Sequence, residues 1–254
     1  MAKRPVIVHF HLFKNAGTSV DTVLEKNFGE RWIEIEGPNA RKLTQEALVE
    51  FIESNPQYDA ISSHTAIVGM PVMDTAEIIP IFFFRHPIDR IRSAYDFECT
   101  QNVQTPGAIK AKEGDFEHYM NWRLSTPTPW QVSEFHAFRL KDFHTFTPAK
   151  QTQLFLPRAK QALDALPFIG LVEEFNASMI HMEQHIQKYF PNFAGEAVHK
   201  NTTSDPSLKL SQNVEKFKNR IGETVFDKLT EVNEMDFELY HFVKNKIANY
   251  NQTI

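Results

Sequence analysis

The chain has 254 residues, of which 42% are hydrophobic and 23% charged, and its net charge at pH 7 is −5. That length fits a single α/β domain with a sizeable core, while the acidic balance argues against a general nucleic-acid binder and against a long polyanionic substrate. Cys99 is the only cysteine, which excludes an intrachain disulfide and a cysteine-based zinc cluster; no run of about 18 apolar residues offers a membrane span. A first strand expected from Val6 leaves no room for a signal peptide, so the sequence predicts a cytoplasmic protein.

Val6-Ile-Val-His-Phe10 is β-branched and apolar, as a buried strand requires. A short turn with Lys14, Asn15 and Gly17 follows, and Thr18 or Ser19 is expected to open a helix, because Val20, Val23, Leu24 and Phe28 recur at helical spacing. A strand, a tight turn carrying a lysine and a glycine, and a helix N-terminus make an anion site. The N–H groups of a first helical turn lack intrahelical partners, and the helix dipole favours negative charge there. Phosphate or a close relative is the expected ligand.

Residues 31–35 read as a second strand, ended by Gly37-Pro38, and residues 43–54 as a helix. Residues 58–64 read as a third strand, and 78–84 as a central strand that is apolar on both faces. The latter runs into Arg85-His-Pro87, with Pro87 suited to a first helical turn and Ile88, Ile91, Ala94 and Tyr95 on the inner face. Strands alternating with helices predict a parallel, doubly wound sheet within one domain over residues 1–254. Residues 100–131 are polar and rich in Pro and Gly, as in a substrate-binding insertion or lid with short helices. Residues 168–172 read as a strand ending at Glu173 and Glu174. Residues 175–190 read as a helix with Met179, Ile180, Ile186, Tyr189 and Phe190 inward, and 213–250 as a helical tail.

The turn is not a Walker A loop, in which the lysine follows the second glycine; here Lys14 precedes Gly17. His11-Leu-Phe-Lys14-Asn-Ala-Gly17-Thr18-Ser19 resembles the His-Ile-Pro-Lys-Thr-Gly-Gly-Thr-Ser loop of carbohydrate sulfotransferases. Phe13 replaces the proline and Ala16 the first glycine, and an alanine there is expected to hold a negative φ. Arg85-His-Pro87-Ile-Asp-Arg90-Ile-Arg-Ser93-Ala-Tyr95 resembles the second signature of that family, Arg-Asp-Pro-x-x-Arg-x-x-Ser-x-Tyr. Weaker likenesses are Ile61-Ser-Ser-His64-Thr, Ala149-Lys-Gln-Thr-Gln153-Leu and Ile169-Gly-Leu-Val-Glu-Glu174-Phe.

The resemblance implies a three-layer, P-loop-like α/β fold and a reaction that moves a sulfuryl group from 3′-phosphoadenylyl sulfate (PAPS) to a hydroxyl, with PAP as product and no metal. It implies that Lys14, Asn15, Ala16, Gly17, Thr18 and Ser19 hold the 5′-phosphosulfate, that Arg85 and Ser93 hold the 3′-phosphate, and that Lys200 lies in a loop closing over the nucleotide. The implied acceptor is a carbohydrate, with specificity placed in the insertion. Golgi relatives carry a membrane anchor, so a chain without one is expected to be a bacterial-type soluble member.

Chemistry independent of the resemblance points the same way. Arg85 stands at the carboxyl end of a buried strand, where ligands of open α/β sheets bind, and its planar fork suits a phosphate. The competing reading makes Arg85 a helix cap or salt-bridge residue and Ser93 a surface residue. The acceptor hydroxyl needs a base: His64 at a strand end is the first candidate, and Glu174 the alternative. Lys14 is placed to stabilise charge developing on the leaving phosphate. Two other functions stay open: a nucleotide-dependent kinase with a degenerate P-loop, and a non-catalytic nucleotide- or carbohydrate-binding module. His181 and His185 read as a solvated helix face rather than metal ligands, His9 as a core residue, and His11 as one that approaches the loop.

Overall fold

The computed structural model describes residues 3–143, 151–195 and 210–251. Five strands, β1 (Arg4–Phe10), β2 (Trp32–Glu34), β3 (Ala60–Ser63), β4 (Ala76–Phe84) and β5 (Gly170–Leu171), form one sheet in the order β2-β3-β1-β4-β5. Every pairing is parallel, with Ile7 opposite both Ala60 and Ile79. The helices are α1 (Gly17–Phe28), α2 (Gln45–Ser54), α3 (Pro87–Thr100), α4 (Pro106–Glu113), α5 (Phe116–Ser125), α6 (Phe135–Leu140), α7 (Phe155–Ala165), α8 (Phe175–Gln187), α9 (Leu210–Ile221), α10 (Glu223–Glu231) and α11 (Glu234–Asn251). No helix among the described residues is long and apolar enough to cross a membrane.

Alternation along β1 and β4 sorts two cores onto the two faces of the sheet. Ile7, Ile79, Ile81 and Phe83 pack with Val20, Val23 and Leu24 of α1 and with Met179, Met182 and Ile186 of α8. On the opposite face, Val6, Val8, Phe10, Phe82 and Phe84 meet Leu48 and Ile52 of α2, Ala159 and Leu163 of α7, and Leu239 and Val243 of α11. The result is the parallel sheet expected from the strand–helix alternation, within the three-layer α/β fold that the resemblance implies. Pro80 sits within β4 but short of Phe83 and Phe84, the residues that pair with β5, so its missing N–H falls where β4 pairs with β1 alone.

Local details depart from the expectation. The first helix opens at Gly17, with Ala16 as N-cap and no side-chain cap, rather than at Thr18 or Ser19. In α8 the inward residue is Met182, while Ile180 is 56% exposed; His185 is half-buried, stacked on Phe168 and not on a solvated face. The segment read as an insertion with short helices does hold them, α4 and α5, and they are packed: Ala111, Phe116, Tyr119 and Met120 build a third core with Ile88, Ile91 and Tyr95 of α3 and with Phe217 and Leu229 of the tail.

Candidate active site

The loop after β1 and the start of α3 after β4 lie on neighbouring strands whose connections leave in opposite directions. That is the switch point where open α/β sheets form a crevice. The first junction is a compact turn. His11 donates its N–H to Ser63 O of β3 (3.0 Å) and Asn15 donates to Leu12 O (3.1 Å), while Ser19 and Val20 donate to Ala16 O (3.0 and 3.3 Å). Among the described residues, the N–H groups of Ala16, Gly17 and Thr18 find no backbone acceptor outside the helix, and helix geometry gives them none within it.

The expectation of a negative φ at Ala16 is overturned. Ala16 has φ 61° and Lys14 has φ 63°, so two non-glycine residues adopt the left-handed region on either side of Asn15. That conformation costs about 1–2 kcal/mol per residue. The surroundings offset it: Asn15 is buried, and Lys14 O is held from outside the loop. Gly17 is the position where a side chain cannot fit, since a Cβ would lie 2.0 Å from His11 Cδ2 and 2.2 Å from His11 Nε2. Gly17→Ala is therefore expected to displace the His11 ring and to destabilise the fold by about 1–3 kcal/mol, read as a lowered denaturation midpoint. An unchanged midpoint would show that the ring has room to move.

At the second junction Arg85 is buried and engaged on three sides. Its Nε and Nη2 donate to Asp89 Oδ2 (2.8 and 2.6 Å), and its Nη1 donates to Lys14 O (2.9 Å). Arg92 binds the other oxygen of Asp89 through Nε and Nη2 (3.0 and 2.8 Å) and reaches Asp96 through Nη1 (3.1 Å). Burial works against ionising Asp89, but the two guanidinium groups hold its carboxyl below the usual range. Lys14 Nζ lies over the Phe97 ring, 4.5 Å from its centroid. Burial, together with Arg85 and Arg92, lowers its pKa from 10.5 to about 8. The salt-bridge reading of Arg85 thus holds in this structure beside its contact with the loop. Ser93 is fully buried in α3, not on the surface. Arg90 is also fully buried, 4.1 Å over the Phe135 ring, with Nη2 donating to Gln131 O (2.5 Å).

His64 follows β3 and is exposed at the same end of the sheet. Its Nδ1 lies 2.9 Å from Glu36 Oε1 and 3.2 Å from Glu34 Oε1. Glu36 also accepts the N–H groups of His64 and Thr65 and the Thr65 hydroxyl, and these bonds hold its pKa low despite partial burial. With Nδ1–H committed to a carboxylate, Nε2 is the basic nitrogen that remains. The His64 ring stacks on His11 with centroids 3.8 Å apart, and His11 in turn lies 5.4 Å from His9. Asp21 on α1 binds both inner imidazoles, Oδ1 to His9 Nδ1 (2.7 Å) and Oδ2 to His11 Nδ1 (2.6 Å). Burial opposes ionisation of Asp21, yet His9 and the two hydrogen bonds keep its carboxyl well below the usual range.

The structure brings Lys14, Asn15, Ala16, Gly17, Arg85 and His64 to one end of the sheet, but sets Glu174 apart. Glu174 is exposed at the end of β5, three strand spacings from β3, or about 14 Å across the sheet. Its neighbour Glu173 turns inward and accepts the His86 N–H at 2.6 Å; burial pushes its carboxyl up to about 7. Lys200 and the first residues of the 149–154 likeness lie outside the described residues.

Three further residues matter that the sequence reading did not single out. Asp21 and Glu36 hold the imidazoles. His136 ties the loop to the tail, with Nδ1 3.0 Å from Asp236 Oδ2 and Nε2 3.3 Å from the Asn15 amide. Burial lowers the His136 pKa. With its Nδ1–H given to Asp236, Nε2 is an acceptor, so the Asn15 orientation that satisfies both groups turns its N–H toward the ring. Asp236 also accepts the N–H groups of His136 and Ala137 at the start of α6, and Glu134 accepts those of Met235 and Asp236 at the start of α11. The two helices cap one another.

A model of the sulfotransferase family matches residues 1–243. The chain belongs to the sulfotransferase family. An uncharacterized protein of Archaeoglobus fulgidus is 39% identical over 248 residues, spanning 94% of this chain and 96% of its own. The family match runs through both sulfotransferase-like signatures and through α3, the packed insertion and most of the tail.

Proposed function

We propose that this chain transfers a sulfuryl group from PAPS to a hydroxyl acceptor on a carbohydrate. The observation that carries the reading is the hydrogen bond from Arg85 Nη1 to Lys14 O, which sets two anion-type strand–helix junctions side by side. One such junction suits any phosphate; two in contact suit a nucleotide with phosphate groups at both ends. The residues fit that donor. Ala16, Gly17 and Thr18 present N–H groups without a backbone acceptor among the described residues, and Lys14, Arg85 and Arg92 supply positive charge. Bound there, the donor supplies the sulfuryl group. No metal is part of this reading, and a cytoplasmic setting is.

The chain's own residues do the rest. The loop N–H groups orient the 5′ end of the donor, as a helix N-terminus can. Arg85 and Ser93 serve the 3′-phosphate, with Asp89 keeping the Arg85 fork in place. His64 Nε2 takes the proton of the acceptor hydroxyl, and Glu36 fixes the ring so that this nitrogen stays free. Lys14 holds charge against the leaving phosphate.

The Lys14 ammonium gives a measurable signature. Its pKa of about 8 in the free protein rises when an oxyanion arrives, because negative charge favours the protonated form. Binding PAP at pH 8.5 is expected to take up protons, and binding at pH 6, where Lys14 is already charged, to take up none through this group. Calorimetry in two buffers of different ionisation enthalpy reads the uptake, and Lys14→Ala should abolish it. Uptake that persists in the variant would assign it elsewhere.

The activity itself is tested with sulfur-labelled PAPS and a panel of neutral and acidic sugars. The expected result is label in a sugar, dependent on the protein. Tight PAP binding without transfer to any hydroxyl would favour a binding module, and magnesium-dependent use of ATP would favour a kinase.

A further inference from the structure

The reaction as proposed uses neither of the two adjacent glutamates that follow β5, yet the two sit differently. Glu174 is exposed, whereas Glu173 turns back onto the junction between β4 and α3. That junction is a gap in the backbone bonding. The pairing of β4 with β5 covers only Phe83 opposite Gly170 and Phe84 opposite Leu171, and α3 begins at Pro87, which has no N–H. Arg85 and His86 lie between the two. Among the described residues the N–H of His86 has no backbone acceptor, and Glu173 Oε1 takes it at 2.6 Å. A side chain thus extends by one bond a strand pairing that is two residues long.

Covalent geometry says which residue this bond serves. The N–H of His86 belongs to the peptide plane whose other half is the carbonyl of Arg85. Fixing that plane fixes the direction in which the Arg85 side chain leaves the end of the sheet. Further out the guanidinium is steadied by Asp89 Oδ2, at 2.8 and 2.6 Å, and by Lys14 O at 2.9 Å. The His86 ring is held as well, edge-on to Phe237 and Tyr240 of α11 with centroids 5.4 and 5.0 Å away. Burial lowers its pKa to about 4, so at neutral pH it adds no charge to the junction. The Glu173 carboxyl lies in the field of both Arg85 and Asp89, and its Oε2 is buried without a partner among the described residues. Leaving a polar atom unpaired in the interior is costly, and a residue needed for packing alone would not carry one.

We propose that Glu173 is a positioning residue of the donor site: by holding the Arg85–His86 peptide from β5, it aims the Arg85 fork at the 3′-phosphate of the nucleotide. The ligand class is a nucleoside 3′,5′-bisphosphate, and what Glu173 controls is the preference for it over a nucleoside 5′-monophosphate. This assignment rests on the donor reading above and goes further by giving that site a residue that acts through Arg85 from the neighbouring strand.

The test titrates the full chain by calorimetry with PAP and with adenosine 5′-monophosphate (AMP), which lacks only the 3′-phosphate, and reads the denaturation midpoint beside them. In wild type PAP is expected to bind about tenfold or more tighter than AMP, the size of one charge-assisted hydrogen bond. Glu173→Ala is expected to weaken PAP about tenfold and to leave AMP nearly unchanged, so that the preference collapses. Glu173→Gln keeps an oxygen for the His86 N–H. It also copies the neutral carboxyl, which is well populated at pH 7 because burial pushes the pKa up to about 7, and it should keep the preference. A structural role alone would lower the midpoint and weaken both ligands alike. That result, an unchanged preference in Glu173→Ala, or a loss in Glu173→Gln as large as in Glu173→Ala would overturn the assignment and leave the donor reading standing. If wild type does not prefer PAP to AMP, the donor reading fails and the Glu173 assignment falls with it. Should Glu173→Ala fail to fold, Glu173→Asp, whose shorter stem withdraws the carboxyl from His86, decides in its place by the same two affinities.

Discussion

Replacing His64 with alanine is expected to lower turnover by about 10²–10⁴, the range for loss of a positioned general base, with PAP affinity nearly intact. The two effects separate because the base acts on the acceptor hydroxyl and not on the nucleotide. The structure sharpens the expectation: Glu36 holds the Nδ1 side of the ring, so the missing group is one nitrogen, Nε2, at the exposed end of β3. Glu36→Gln keeps an acceptor for Nδ1–H and should cost much less than His64→Ala. Glu174→Gln should be close to wild type, because Glu174 sits at the far edge of the sheet. A nearly active His64→Ala beside a folded but dead Glu174→Gln would transfer the role of base to Glu174.

Lys14→Ala is expected to lower kcat by about 10²–10³, as when a preorganised charge-stabilising donor is removed, and to weaken PAP binding about tenfold. Backbone N–H groups can hold the 5′-phosphate in the ground state without the ammonium. The lysine matters more as charge builds on the leaving oxygen. Its surroundings agree with a functional rather than a stabilising part, since it is half-buried beside Arg85 and Arg92 and its charged form is disfavoured. The variant should therefore fold at least as well as wild type. Lys14→Arg should also turn over poorly, because a planar fork over Phe97 does not reproduce a compact ammonium. A collapse of PAP affinity with kcat unchanged at saturation would make Lys14 a ground-state clamp.

Much of the architecture was legible because it rests on periodicity. The apolar runs of β1 and β4 and the spacing of Ile88, Ile91, Ala94 and Tyr95 report burial directly, and each falls where the pattern places it. The loop conformation was not legible. Lys14 and Ala16 take positive φ in a loop whose backbone Arg85, 71 residues from Lys14 in the chain, holds at Lys14 O, and no local rule carries that contact. Asp21 did leave a signal. It shares a helix face with Gly17, Leu24 and Phe28, and a charge on a core face needs a partner. The two histidines at alternate positions of the strand were that partner. Glu36 left none, since its neighbours His64 and Thr65 come from another strand. Ile180 and Met182 exchanged places because one turn of helix can be read in more than one phase.

The most direct test of the central claim is a calorimetric titration with PAP, ADP and ATP, each with and without magnesium. Two adjoining anion sites predict that PAP binds without magnesium and about tenfold or more tighter than ADP, because only PAP offers a 3′-phosphate to the second junction. PAP binding no tighter than ADP, or tight binding only of ATP with magnesium, would contradict it.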